Sequence, residues 1–207
     1  MRCFVAVSVG PRITKTMASA VTELRAEAER SSLDVAWTRP EGWHITLKFM
    51  GEIAAEQRGE IGVAVHSALA GQPPLPVAAR GLVALPRAAS PRVLAVVCHD
   101  DGRLGELAAG LDAALEPLGC ERERRRFVAH LTVARIRDRR ASLRRGHWKG
   151  LGALVAAMAD RELGRGEITS VGLYRSELGD GPARYELLER FELDAAPPPS
   201  TRAGGGA

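Results

Sequence analysis

Two histidines, each followed two positions later by a threonine, are the residues of this chain best suited to chemistry. His44-Ile45-Thr46-Leu47 returns as His130-Leu131-Thr132-Val133, 86 positions further on. Both tetrapeptides lie in short apolar runs that read as β-strands, where side chains two apart share a face. Each run therefore presents an imidazole beside a hydroxyl and turns branched apolar residues the other way. Two such strands meeting across a cleft would set two histidines about one substrate atom. With an unperturbed pKa near 6.5, one imidazole can work neutral and the other protonated. That pair suits acid–base catalysis on a phosphate ester with no metal. Thr46 and Thr132 are then the expected donors to the non-bridging phosphate oxygens.

Other residues near the two motifs read less sharply. Lys48 has the parity of His44, so it is expected either beside the site or at a solvated strand end. Trp43, Phe49 and Phe127 could stack a base, although Trp43 and Phe49 have core parity. His66, His99 and His147 show no HxH or HxxxH spacing, and the motifs supply no third converging ligand, so neither a metal nor another cofactor is expected. Cys3, Cys98 and Cys120 are odd in number and lack CxxC spacing, which argues for reduced thiols over a disulfide framework. No glycine-rich phosphate loop of either common pattern occurs.

The net charge is +4, and arginine outnumbers lysine 26 to 3. Dense basic clusters at residues 122–126 and 135–145 bracket the second motif, so an anionic partner such as RNA or a nucleotide is the natural expectation. With 207 residues and 45% hydrophobic content, the chain suits one globular domain or two small lobes sharing a core. No apolar run is long enough to span a bilayer. Residues 1–7 are too short, and too alternating, for a signal-peptide core and read as a strand at the mature N-terminus; the three cysteines, read as reduced, half-buried thiols, make a cytoplasmic location the expectation.

The elements that must hold the motifs follow from periodicity. Ile13, Met17, Val21, Leu24 and Ala28 recur at helical spacing and predict a helix over 12–30. A strand at 35–37 precedes the first motif strand, 43–50, and a second helix follows at 54–70. Strands are expected at 75–85, broken by Gly81, and at 92–99, the latter valine-rich and central. Leu104, Leu107, Leu111 and Leu115 stripe a third helix, and the second motif strand runs over 127–136. Residues 148–163 read as a helix, and 168–174 and 184–193 as strands joined by a turn at 179–182. Residues 195–207 carry three prolines and three glycines with no large apolar side chain, which predicts a disordered tail after a single domain of residues 1–194. Tight turns between neighbouring strands favour an α+β fold with antiparallel sheets. The half-chain spacing of the motifs suggests two related lobes.

These residues resemble the 2H phosphoesterase superfamily, in particular its RNA 2′,3′-cyclic phosphodiesterase branch, also called 2′-5′ RNA ligase-like. Arg2-Cys3-Phe4-Val5-Ala6-Val7 is similar to the family's opening strand, and Trp43-His44-Ile45-Thr46-Leu47-Lys48-Phe49-Met50-Gly51-Glu52 to its first motif. Pro91-Arg92-Val93-Leu94 resembles the central strand. Phe127-Val128-Ala129-His130-Leu131-Thr132-Val133-Ala134-Arg135 resembles the second motif. Ser176-Glu177-Leu178, with Gly181-Pro182-Ala183-Arg184-Tyr185, resembles the closing hairpin. The family usually has proline before the second histidine; this chain has Ala129.

The resemblance implies a bilobal fold whose two pseudo-symmetric lobes form a cleft lined by both motifs. It implies hydrolysis of RNA 2′,3′-cyclic ends to 2′-phosphomonoesters, with His44 as proton donor and His130 as proton acceptor. Arg135 resembles the family's phosphate-binding arginine, yet five positions from His130 an ideal strand would turn it to the other face, so a bulge or the strand's end must intervene. The partner implied is RNA or an oligonucleotide ending in a cyclic phosphate, and a monomer is expected. The alternatives are reversible 2′-5′ RNA ligation, opening of a small cyclic nucleotide at the same site, and a non-catalytic oligonucleotide-binding module.

Overall fold

Antiparallel pairing governs the architecture. The computed structural model describes residues 1–87, 91–137, 149–177 and 184–194. In chain order its principal elements are β1 (Arg2–Val7), α1 (Gly10–Arg30), β2 (Val35–Trp37), β3 (Ile45–Glu52), α2 (Arg58–Leu69), β4 (Leu75–Leu85) and β5 (Val93–His99). Then come α3 (Arg103–Leu115), β6 (His130–Ile136), α4 (Lys149–Ala157), β7 (Glu162–Ile168), β8 (Ser170–Glu177) and β9 (Arg184–Glu192). One sheet has the order β3-β1-β8-β9 and the other β2-β6-β5-β4-β7. This is the α+β, two-sheet arrangement expected, with β5 central in its sheet.

Each sheet buries one face under two helices. Helices α2 and α3 pack together beneath the first sheet, α3 against β3 and α2 against β9. Helices α1 and α4 cover the second sheet through β7 and β4. The connections cross over: α1 follows a strand of the first sheet but packs on the second, and α3 does the reverse. No cut in the sequence separates the two lobes. The apolar stripe of α1 is buried as its period requires, with Ile13, Met17 and Leu24 fully enclosed. Each side chain of that kind contributes about 1.5–3 kcal/mol on leaving water.

Two expectations need correction. Residues 158–163 do not continue the helix: α4 stops at Ala157, a turn follows, and β7 begins at Glu162 as an edge strand of the second sheet. Strand β7 lacks apolar alternation because α1 lies directly on it. A side chain at Gly164 or Gly166 would press against Ile13 at 3.3–3.4 Å, so glycine stands where a strand usually shows valine. Nor does Gly81 break β4. It sits in a bulge at φ +82°, and a Cβ there would lie 2.2 Å from the Ala159 carbonyl oxygen, so only glycine lets the turn after α4 close on the strand. The expected turn at 179–182, the tail from 195, His147 and part of the basic stretch 135–145 lie outside the described residues. Among the described residues no helix is long and apolar enough to cross a membrane.

Candidate active site

The same backbone device holds both histidines. His44 stands one residue before β3, and its Nδ1 donates to the Gly42 carbonyl at 2.8 Å. His130 opens β6, and its Nδ1 donates to the Val128 carbonyl at 2.7 Å. A carbonyl oxygen only accepts, so each bond places a proton on Nδ1 and leaves Nε2 as the nitrogen available for chemistry. Strands β3 and β6 lie against each other across the junction of the sheets. His44, Thr46, His130, Thr132 and Arg135 thereby line one pocket of about 50 Å³, closed by Thr38, Gly42 and Tyr185.

Arg135 reaches that pocket through a bulge. Strand β6 pairs with β5 as Thr132 to Ala95 and Ala134 to Leu94, which leaves Val133 as the extra residue. Beyond Val133 the parity reverses: Leu131 and Val133 are buried, then Ala134 and Ile136, and Arg135 turns back to the face of His130. Strand β3 does the same. It pairs with β1 as Ala6 to Thr46 and Val5 to Lys48, so Leu47 is the extra residue.

The bulge at Leu47 overturns the expectations for Lys48 and Phe49. Lys48 faces the core, 3% exposed, where its Nζ pairs with Asp112 of α3 and donates to the Glu121 carbonyl at 2.5 Å. Burial alone would raise the Asp112 carboxyl, but bonds from Lys48, the Glu123 N–H and Arg122 outweigh it and hold the group below the usual carboxylate range. Phe49 is 45% exposed on the site face, with the Arg2 guanidinium 4.7 Å from its ring centroid. Trp43 is buried in the core as its parity required, and Phe127 packs at the core's margin.

The two histidines differ in surroundings. Phe4 stacks on His44 at 4.9 Å, and Tyr185 meets it edge-on at 5.0 Å. Tyr174 stacks on Phe4 in turn. Among the described residues no ring packs on His130 in this way. Burial is the main force lowering the pKa of His44; the Gly42 bond opposes it, and the charges of Arg135 and His130 add to it. Tyr185, Thr38 and Phe4 were missed by sequence reasoning. Only the resemblance of the closing hairpin pointed near Tyr185. Phe4 lies in a strand buried on both faces, where apolar alternation carries no signal. Ala129, where relatives are expected to carry proline, is buried, and its carbonyl accepts from the Cys98 N–H at 2.9 Å, which anchors the approach to His130.

A cleft between two antiparallel sheets, with a His-x-Thr on each side, is the arrangement that the resemblance to phosphoesterases implied. Residues 12–95 match the family described as LigT-like phosphoesterase. The chain is 30% identical over 181 residues to an RNA 2′,3′-cyclic phosphodiesterase of Aeropyrum pernix, covering 87% of this chain and 97% of that one. It is 29% identical over 192 residues to the enzyme of the same name from Archaeoglobus fulgidus, covering 93% of this chain and all of the relative. Among solved structures, a protein of Thermus thermophilus superimposes with a TM-score of 0.72 at 24% identity, covering 94% of this chain and 99% of that one. E. coli LigT complexed with 3′-AMP superimposes with a TM-score of 0.69 at 22% identity, covering 93% and 97%. The chain belongs to the LigT-like phosphoesterase family.

Proposed function

We propose that this protein opens 2′,3′-cyclic phosphate ends of RNA, giving 2′-phosphomonoesters by acid–base catalysis between His44 and His130. The observation that carries this reading is that His44, Thr46, His130, Thr132 and Arg135 all line a single small pocket. Relatives of nearly the same length bear the name RNA 2′,3′-cyclic phosphodiesterase, which supports the substrate.

In the proposed reaction His130 takes a proton from water as its oxygen attacks phosphorus. The bond from phosphorus to the 3′ oxygen breaks, and His44 returns a proton to that oxygen. Thr46 and Thr132 donate to the non-bridging oxygens, and Arg135 balances charge that builds there in the transition state. A proton donor must be charged on arrival, whereas the pocket by itself pulls His44 towards neutrality. The substrate's phosphate anion opposes both that burial and the Arg135 charge, so binding itself arms His44. Phe49 offers a stacking face to the terminal base in a side pocket of about 280 Å³ that also touches Phe4 and His44.

The test is turnover of a short RNA ending in a 2′,3′-cyclic phosphate, run in EDTA, with the product identified as 2′- or 3′-phosphomonoester. A 2′-phosphate product formed without added metal is expected. An intact cyclic end, or activity abolished by EDTA and restored by zinc or manganese, would defeat the proposal.

A further inference from the structure

Beyond the catalytic pocket, β6 continues to lay arginines on the cleft face. Past the Val133 bulge that face carries Arg135 and then Arg137, one two-residue step further out. That step is about 6.6–6.8 Å, comparable to the spacing of neighbouring phosphates in an extended single strand. Arg39, after β2, and Arg184, at the start of β9, meet them around a groove of about 890 Å³. The groove adjoins the catalytic pocket, sharing Arg135, Tyr185, Thr38 and Gly42 with it.

What distinguishes this groove is the gathering of four guanidiniums around one hollow. Several arginines elsewhere are matched by carboxylates: Arg80 by Asp160, Arg165 by Glu162, Arg161 by Glu23 and Arg175 by Glu177 and Glu186. Among the described residues, Arg39, Arg135, Arg137 and Arg184 form no such pair, and Glu41 is the one carboxylate lining the groove. A second hollow, of about 580 Å³, lies across the second sheet near β4 and β7, but its arginines, Arg80 and Arg165, are the ones already paired. Four guanidiniums around one groove, with a single carboxylate among its described lining residues, suit an anion from outside.

Resting on the function proposed above, we infer that this groove holds the phosphodiester backbone of the nucleotides preceding the cyclic end. Arg39, Arg137 and Arg184 grip that backbone, so the preferred substrate is a single-stranded oligoribonucleotide and not a cyclic mononucleotide. The base pocket at Phe49 and the cationic groove both adjoin the catalytic pocket, so the cyclic ribose sits between them. The chain leaves towards β2 and β9, away from β4 and β7.

The experiment compares adenosine 2′,3′-cyclic monophosphate with an adenosine pentaribonucleotide carrying the same cyclic end. It uses the wild type, the triple variant Arg39→Ser, Arg137→Ser, Arg184→Ser, and a control with Arg80→Ser and Arg165→Ser. For two to three phosphates held, the pentamer's kcat/KM should fall about 7- to 18-fold between 50 and 200 mM salt, against roughly 3-fold for the mononucleotide. At low salt the pentamer should lead by at least about tenfold. The triple variant should lose that lead and the steep salt dependence while keeping mononucleotide turnover, and the control should keep both. A pentamer with no advantage, or an advantage surviving in the triple variant, would overturn the inference; so would an advantage lost only in the control. Anisotropy of a labelled pentamer bearing a 2′-phosphate reads the groove even if neither cyclic substrate turns over. In that case tight, salt-sensitive binding lost in the triple variant would sustain the groove while the proposed reaction fails. Equal binding by both proteins would sink the groove itself.

Discussion

The strands β3 and β6 perform the same manoeuvre with different side chains. Each starts from a histidine whose Nδ1 is fixed by the carbonyl two residues earlier, sets a threonine beside it, and bulges one residue later, at Leu47 or Val133. The fourth position after histidine is buried, as Lys48 or Ala134, and the fifth returns to the cleft, as Phe49 or Arg135. The outcome differs in kind. On the β3 side the fifth position is aromatic, and Phe4 and Tyr185 enclose the imidazole. On the β6 side it is a guanidinium, and the face runs on into a cationic groove. One backbone plan used twice thus yields an aromatic half around His44 and a cationic half beside His130.

The comparison breaks most visibly if the shared positions are removed. His44→Ala and His130→Ala should each lower turnover by roughly 10²- to 10⁴-fold, the usual worth of a positioned acid or base. Affinity for a 2′-phosphate product should change much less. A single variant with near wild-type turnover would show that the halves are not partners.

The fourth position should separate them by stability. Lys48→Met leaves the Asp112 carboxylate, whose side chain is 13% exposed, without its main counter-charge. Breaking such a pair costs about 3 kcal/mol or more, a drop of about 6–12 °C in Tm for a chain of this size. The equivalent Ala134 has no such partner, and Ala134→Gly should cost much less. Equal melting temperatures for wild type and Lys48→Met would mean the ion pair adds nothing.

The fifth position should separate them by substrate part. Arg135→Ala should cost about 10- to 100-fold in kcat/KM through a lost charge-assisted contact to phosphate. Phe49→Ala should cost about tenfold, mainly in KM and sensitive to the base, as expected for one stacked base. Steady-state kinetics with purine and pyrimidine ends tests this; an Arg135 effect that varied with the base would contradict it.

The smallest effect concerns His44 in stability. Its folded pKa lies below the ordinary 6.5, mainly through burial. The folded state therefore binds this proton less readily than the unfolded one, and stability declines as pH falls through about 6.5. His44→Gln should show a shallower fall in Tm between pH 7.5 and 5.5. A slope unchanged from the wild type would exclude His44 as a contributor.

Much of this was legible in the residues. The repeated His-x-Thr marked the two strands that meet at one pocket, α1 declared itself by its period, and valine density marked β5 as central. Lys48 and Phe49 were misread because strict alternation assumes an ideal strand, and a bulge at Leu47 exchanges their faces. The same bulge at Val133 rescues Arg135, which alternation alone would have sent into the core. Strand β7 was hidden because helix packing replaced its apolar residues with Gly164 and Gly166. Tyr185 reaches the pocket from the far edge of the first sheet, a long-range placement that no local pattern encodes.

The central claim is that two imidazoles of one pocket divide the acid and base roles. The direct measurement is the pH dependence of kcat/KM on a cyclic-ended oligoribonucleotide in EDTA, for the wild type, His44→Ala and His130→Ala. The account predicts a bell for the wild type. Its alkaline limb should be set by a His44 below its ordinary value in the free enzyme, and should move upward in kcat once the phosphate anion is bound. His44→Ala should lose the alkaline limb and His130→Ala the acid limb. Exchanged limbs would reverse the two roles, and a wild-type rate flat from about pH 5 to 9, with chemistry limiting, would contradict the mechanism itself.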